Sequence, residues 1–500
     1  MDNQNIRFDA TPFEWYMLED HSETHPMVFT LYFDVKGSIS KQLLEQAFWY
    51  AIESHPLLRS STLVLSGWPR YAWESSRFVL EGEADDGLIL LSAPMKNAID
   101  PFRERLCRLK IYRLSDRALE SQERWAIAID FHHAVADGIG ALEFCSDLFR
   151  IYEHLIAEST NGDPNSLSIN GGNRFQGVDI NLLSERGILD RSIPYPVSRV
   201  TALRFLAWET ARFLFAFPAR LSYISRQTES DMVTPWNDSQ TSVRELLQWE
   251  TFGLSGLEFS PDIAKVLREY AHCCGGTLNH LLLAATLRAL ARGKPSFLGR
   301  LRTWVTVLPI NMRRLTPHRM PCHNGIGYAF LRRKRSDCLD WNKNFLSIQS
   351  EIKAIQDWKL AGLFLDVLAR LQRAPRWIAR FVLRKSQPGS FVWSYLGDPM
   401  RRFPNRMREQ DGSIRFGDAI LEGLAAAPPT RAGTELAVLA TLWRDSIRLY
   451  FRFDEQMISK QQSASIRQWI AEEIVSIAET VQKSQDHPCN SSKTSGLTQT

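Results

Sequence analysis

The stretch from Trp125 to Tyr152 limits what this chain can fold into more than any other. WAIAIDF is an apolar run rich in β-branched and aromatic residues, as expected of a buried strand. Beyond a short loop, HHAVADG, the residues Leu142, Cys145, Leu148, Phe149 and Tyr152 recur at helical spacing from Gly140 to Ile156. A strand that passes this abruptly into an amphipathic helix buries both apolar faces by laying helix on sheet, the layered α/β arrangement.

The same order recurs along the chain. Met27 to Val35 reads as a strand; Ser38 or Ser40 then caps a helix whose apolar positions are Leu43, Leu44, Ala47, Phe48, Ala51 and Ile52. His55-Pro56 ends it, because a residue before proline is pushed out of the helical region. Leu106–Leu114 and Trp125–Phe131 read as strands around a polar loop. In the second half, Pro261–Cys273 and Gly276–Ala291 read as helices, and Leu301–Leu308, Asn324–Leu331 and Phe391–Leu396 as strands. Helices are expected between Asp340 and Arg384, then paired strands at Glu435–Leu442 and Ser446–Phe453, and a closing helix over Ser463–Lys483. Between the halves, Ala157 to Val200 is rich in Asn, Gly, Ser and Pro and reads as a long connection.

A length of 500 residues suits two domains of about 200 residues or one two-lobed unit. The expected division is 1–190, a joining segment 191–230, a second lobe 231–485 and a polar, disordered tail 486–500. Within the joining region, Ala202–Ser225 is strongly apolar yet interrupted by Arg204, Glu209, Arg212 and Arg220. A helix packed on the domain junction is the first reading, and an interfacial helix in peripheral contact with a membrane the second.

Lysine and arginine number 60 against 56 acidic residues, a net charge of +4, which gives no reason to expect nucleic acid as a partner. The run Arg332-Arg333-Lys334-Arg335 reads as a solvated loop or strand end. The seven cysteines are scattered, with no CxxC or Cys/His ligand spacing, so reduced thiols and a cytoplasmic location are expected. MDNQNIRFDATPFEW has no basic region followed by an apolar run, so no signal peptide is expected, and no stretch of about 18 apolar residues predicts a membrane span.

Four chemistries compete for HHAVADG. The histidines can be ordinary hydrogen-bonded polar residues. A metal site is disfavoured, since adjacent residues on a strand point to opposite faces and no third ligand is near, so no metal is expected. A hydrolytic triad would need an exposed nucleophile elbow such as GxSxG, which the chain lacks. The remaining reading is a single histidine acting as general base on an attacking hydroxyl, amine or thiol.

His132-His133-Ala134-Val135-Ala136-Asp137-Gly138 resembles the HHxxxDG signature of the chloramphenicol acetyltransferase-like acyltransferase superfamily. That group includes peptide-synthetase condensation domains, alcohol acetyltransferases and wax ester synthase/diacylglycerol acyltransferases. Further matches follow in order: Glu53–Arg59 is similar to its "H-x-x-L-R" element, and Asp100 to Leu109 to the segment before the signature strand. Thr277–Ala285 resembles the "TVNDVLLAA" helix of the wax ester synthase branch, and Val307–Arg313 its "PVxxR" strand, with Asn324-Gly325 where "GN" is usual. Val392–Gly397 is similar to "SNLG", with Tyr395 in place of asparagine, while the DFGWG string of the plant branch is absent.

The resemblance implies two α/β sandwich lobes arranged as a pseudo-dimer, with a channel between them. It implies an acyltransferase carrying an acyl group from a thioester, acyl-CoA first, to a hydroxyl acceptor that is small or lipid-like. Coenzyme A then enters as co-substrate, with no resident cofactor and no covalent enzyme intermediate. A condensation-type enzyme using a carrier-protein-bound donor, forming amide or ester, is the alternative; a degenerate binding protein of the same fold is another. His133 would be the general base and His132 its orienting neighbour, while Asp137 braces the loop through Arg313. Gly138 is expected to allow a tight turn beside the channel, and Asn324 and Ser394 are the candidate oxyanion donors.

Overall fold

The computed structural model describes residues 6–65, 70–75, 99–114, 123–160, 178–187, 218–225, 243–249, 254–295, 303–313, 319–385 and 389–483. Two sheets organise them. In the first, the order is Ile414–Phe416, Ala419–Ala427, Val28–Lys36, Arg124–His132 and Cys107–Leu114, with every neighbouring pair antiparallel. Val28 stands opposite His132, which fixes where the signature loop leaves the sheet. The helices Lys41–Glu53 and Gly138–Thr160 pack on each other and share the sheet's core. Phe48 meets Phe144 edge-on at 5.7 Å and Phe33 meets Phe149 at 5.2 Å, geometries that ring quadrupoles favour. Ser40 is the cap of the first helix, accepting from the Leu43 N–H, and Leu44, Ala47, Phe48, Ala51 and Ile52 form its buried stripe.

The second sheet has the order Ile326–Arg333, Trp304–Asn311, Phe391–Gly397, Leu436–Trp443, Ser446–Phe453, Leu254–Phe259 and Val243–Trp249. Its third strand, Phe391–Gly397, is parallel to both neighbours, so long crossovers enter and leave it. Helices Pro261–Cys273, Leu278–Arg292 and Lys460–Lys483 pack together in its core. The expected hairpin closes at Arg444 and Asp445, whose φ values of 44° and 66° match the mirror-image turn that strand twist favours.

The second half lends two strands to the first sheet. Ile414–Phe416 and Ala419–Ala427 belong to the second half by sequence yet complete the first sheet, with Leu424 opposite Phe33 and Leu421 opposite Val35. Gly37 allows the crossing: its φ is 112°, and a Cβ there would stand 2.4 Å from the Asp418 carbonyl oxygen.

The connecting region is partly pinned. Val178–Gly187 is described, with a short 3-10 turn at Ile180–Glu185, and buried Arg186 places its Nε 2.8 Å from Glu14 Oε1. The helix expected over Ala202–Ser225 falls mostly on residues 202–217, outside the described residues, as does the tail from 484. Pro218–Ser225 forms a 3-10 turn and a two-residue strand, and the main-chain N–H groups of Leu221 and Ser222 donate to the Glu435 carboxylate. The basic run lies at a strand end, but Arg333 is not solvated: it is buried and paired with Glu351.

Candidate active site

The strand Arg124–His132 delivers the two histidines to opposite environments, as strand alternation requires. His132 is fully buried. Its Nδ1 accepts the Ala134 N–H at 3.2 Å, so the ring proton sits on Nε2 and is donated to His21 Nδ1, 3.0 Å away. His21 Nδ1 also accepts the Met27 N–H at 3.3 Å. Burial, reinforced by the two neighbouring imidazoles, pushes the His132 pKa well below the ordinary histidine value. His132 is therefore a neutral brace between the strand end and the loop before Val28.

His133 leaves the sheet at this point, its N–H donated to the Met27 carbonyl at 2.7 Å. Phe29 supports its ring edge-on at 5.2 Å. The Asn324 side-chain amide donates to the His133 carbonyl and lies 3.1 Å from its Nδ1. One side of the ring is thus occupied by protein, and Nε2 has no hydrogen-bond partner among the described residues. Burial lowers the His133 pKa; the carbonyls of His133 and Ala136 and the charge of Asp137 partly oppose it by favouring the protonated ring. The net direction is downward, so the imidazole is neutral at pH 7 and able to accept a proton.

Asp137 faces away from that nitrogen. Its oxygens receive Arg313 Nη1 and Nη2 at 2.7 and 2.8 Å, the Gly140 N–H at 2.9 Å and the Gly325 N–H at 2.8 Å. Burial alone would raise its pKa, but the guanidinium and these donors outweigh it and hold the carboxyl at about 2. Asp137 also closes the first turn of the following helix, its carbonyl accepting from Ala141. The same carboxylate therefore ties the signature loop, the helix after it and the Asn324-Gly325 segment of the other half. Arg313 completes the tie by donating to the His323 carbonyl at 2.9 Å.

A second buried cluster holds that segment from behind. His55, the histidine that opens the H-x-x-L-R element, accepts the Cys322 N–H on Nδ1 at 2.7 Å, so its Nε2–H faces Asp147 Oδ2 at 3.1 Å. Arg150 and Arg319 pair with the same carboxylate. The match at Glu53–Arg59 thereby has a mechanical meaning: it anchors the irregular segment leading to Asn324 against the first lobe.

Two glycines to which the sequence reading gave no steric role are required here. A Cβ on Gly140 would stand 2.8 Å from the His323 carbonyl oxygen, and one on Gly325 within 2.9 Å of Arg313 Cζ. Gly138, by contrast, has no left-handed φ, and its Cβ would meet only Leu396 Cδ1 at an ordinary 3.5 Å. The tight-turn role expected of Gly138 therefore belongs to no steric need there, and close approach is the burden of Gly140 and Gly325.

The candidate oxyanion donors part company. Asn324 spends its amide on His133, which makes it an orienting group. Ser394 lies in the strand Phe391–Gly397 and makes no side-chain hydrogen bond among the described residues. Its neighbours Trp393 and Tyr395 line a cavity of about 340 Å³ that also touches Met312, Arg313, Ile355 and Lys359. This cavity lies against the residue that grips Asp137. Alternation along the strand turns Ser394 away from it.

No sequence-family model matches the chain, and no curated protein resembles it in sequence. Solved structures do match it in fold. The first condensation domain of the calcium-dependent antibiotic synthetase, in complex with a substrate analogue, is 15% identical over 95% of this chain and 97% of its own, with a TM-score of 0.61. The trichothecene 15-O-acetyltransferase from Fusarium sporotrichioides is 14% identical over 94% of this chain and 95% of its own, at 0.64. A starter condensation domain of rhizomide synthetase, in complex with C8-CoA and Leu-SNAC, is 12% identical over 94% of each chain, at 0.57. Over about 95% of its length, this chain has the two-lobed α/β fold of the condensation and acyltransferase domains.

Proposed function

We propose that the protein is an acyltransferase that moves an acyl group from a thioester, acyl-CoA first, to a hydroxyl acceptor. His133 is the general base. The observation that carries this reading is the asymmetry of its ring: protein groups occupy the Nδ1 side, while Nε2 has no hydrogen-bond partner among the described residues. The carbonyls of His133 and Ala136 favour a proton on Nδ1, and in that tautomer, where the Asn324 amide bonds only the His133 carbonyl, Nε2 presents its lone pair to the acceptor hydroxyl.

In the reaction, Nε2 takes the hydroxyl proton as the oxygen attacks the thioester carbon. The C–O bond forms, the tetrahedral oxyanion collapses, the C–S bond breaks, and the imidazolium returns its proton to the leaving thiolate. No bond to the protein is needed, and the rate comes from positioning and proton removal. Asp137 takes no proton, because its carboxyl is held at about 2 by Arg313; its part is to hold the loop. The cavity beside Arg313 is lined by Trp393, Tyr395 and Ile355 and equally by Asn311, Gln356 and Lys359, so it offers a substrate chain apolar and polar contacts alike. The two substrates would reach His133 through the interlobe channel from opposite faces.

Support from the neighbours is of two kinds. One is an O-acetyltransferase, and another is held with C8-CoA. A carrier-protein-bound donor is the second reading, since condensation domains stand among the same neighbours. The deciding experiment is thiol release from a panel of acyl-CoAs, acetyl to palmitoyl, with and without mixed alcohols and amines. Alcohol-dependent release that vanishes in His133→Ala supports the proposal. Silence with every CoA from a folded protein refutes the CoA donor, and a repeat with acyl-loaded carrier protein then separates the second reading from a binding protein without catalysis.

A further inference from the structure

The helix Arg376–Lys385, RWIARFVLRK, is apolar on the wrong side for a helix facing water. Ala379 and Leu383, four residues apart, form its inward stripe and are 2% and 8% exposed. Trp377 and Phe381, also four apart, form a stripe on the opposite side and are 74% and 60% exposed. Arg380 lies along the edge of that outer stripe, with its Nε 4.0 Å from Glu19. Arg370 and Arg373, at the end of the preceding helix Leu360–Arg373, are exposed and have no acidic partner among the described residues.

Charge and sequence agree. Between Asp366 and Asp398 the chain carries Arg370, Arg373, Arg376, Arg380, Arg384 and Lys385 and no acidic residue at all. We propose that this helix docks the protein onto an anionic lipid surface. Aromatic rings and guanidinium groups on one short, surface-lying helix suit the boundary between acyl chains and headgroups: the rings enter it and the cations meet phosphates. An acidic protein partner would satisfy the arginines but would also need a pocket for both Trp377 and Phe381. The helix lies on the surface and does not cross it, and no helix among the described residues is long and apolar enough to span a bilayer. The sequence has a second stretch of this composition, 202–217, with Phe205, Trp208, Phe213 and Phe215 among Arg204 and Arg212. The inference does not rest on the acyl-transfer reading, because none of these residues touches the His133 site.

The test is co-sedimentation of the full chain with phosphatidylcholine vesicles, with and without one-third phosphatidylglycerol. The wild-type protein is expected to pellet with the anionic vesicles, less so as salt rises, and to stay in solution with the neutral ones. Trp377→Ser/Phe381→Ser lowers the partition at least about tenfold. Arg373→Glu lowers it by at least the roughly fivefold that one arginine contributes near an anionic surface. Thermal melting is unchanged in both variants, since the replaced side chains are exposed. A wild-type protein that ignores anionic vesicles, or a double variant that binds like wild type, overturns the proposal. So does a double variant that loses only turnover with a carrier-bound donor, because that outcome assigns the face to a protein partner.

Discussion

Replacing Arg313 by alanine tests the central tie of the site. The substitution leaves the Asp137 carboxylate buried, still receiving the N–H groups of Gly140 and Gly325 but stripped of its counter-charge. Two routes give the magnitude. Removing one partner of a buried ion pair costs about 3–5 kcal/mol, because the survivor is left uncompensated. The depressed pKa gives a smaller, independent figure: a fall from 3.8 to about 2 is close to two units, or about 2.5 kcal/mol at 1.36 kcal/mol per unit. The second figure is a net one, since burial has already worked against the pair, so the loss on truncation should lie at or above it. The sign follows from the direction of the shift. A depressed carboxyl pKa stabilises the fold above the unfolded value near 3.8, and that stability is lost as pH falls through about 2. In Arg313→Ala most of this acid dependence should disappear.

The assay is urea denaturation at pH 7, repeated at steps down to pH 3, alongside steady-state turnover. A destabilisation of about 3 kcal/mol or more is expected, with turnover reduced about a hundredfold because the loop no longer holds His133 in place. The companion variant Asp137→Asn/Arg313→Gln should recover part of the stability, since it removes both charges together. An Arg313→Ala protein with an unmoved urea midpoint and full activity would refute the bracing argument outright.

Three further outcomes follow from the same geometry. The acid limb of kcat/KM should lie below pH 6.5, because burial lowers the His133 pKa and a base works only when unprotonated; a limb at or above 7 would contradict this assignment. Asn324→Asp places a carboxylate against the His133 ring and should move that limb upward by a unit or so, whereas a merely structural Asn324 would leave the pH profile where it was. If Ser394 is the oxyanion donor, Ser394→Ala should lower kcat about a hundredfold with KM nearly unchanged; an unaffected kcat removes it from that role.

The site could be read in the sequence only in part, and the boundary has a physical cause. His133, Asp137 and Arg313 were legible because HHAVADG couples a strand end to a helix start, and the matched PINMR strand places an arginine in order. Asn324 was legible as a polar residue in the right segment, but its role was not. Whether an amide meets a substrate oxygen or a histidine ring depends on where a distant segment comes to rest. Gly140 and Gly325 escaped for the same reason: each is demanded by an atom of a residue that the fold, not the chain, brings near. The strand Ala419–Ala427 was hidden by composition, since Ala, Leu and Glu favour helix, and it is a strand only because Val28–Lys36 offers an open edge.

By itself, then, the sequence determined the alternation of strands and helices in both halves and the strand–loop–helix that presents the two histidines. Hydrophobic period and capping are local, and local patterns survive without a tertiary context. The tertiary structure alone decided which histidine is sealed against His21 and which keeps a nitrogen unpartnered. It also decided that the second half lends two strands to the first sheet, and that Trp377 and Phe381 remain outside the core. Burial, charge pairing and edge pairing are properties of segments far apart in the chain, and they take their values only once those segments meet.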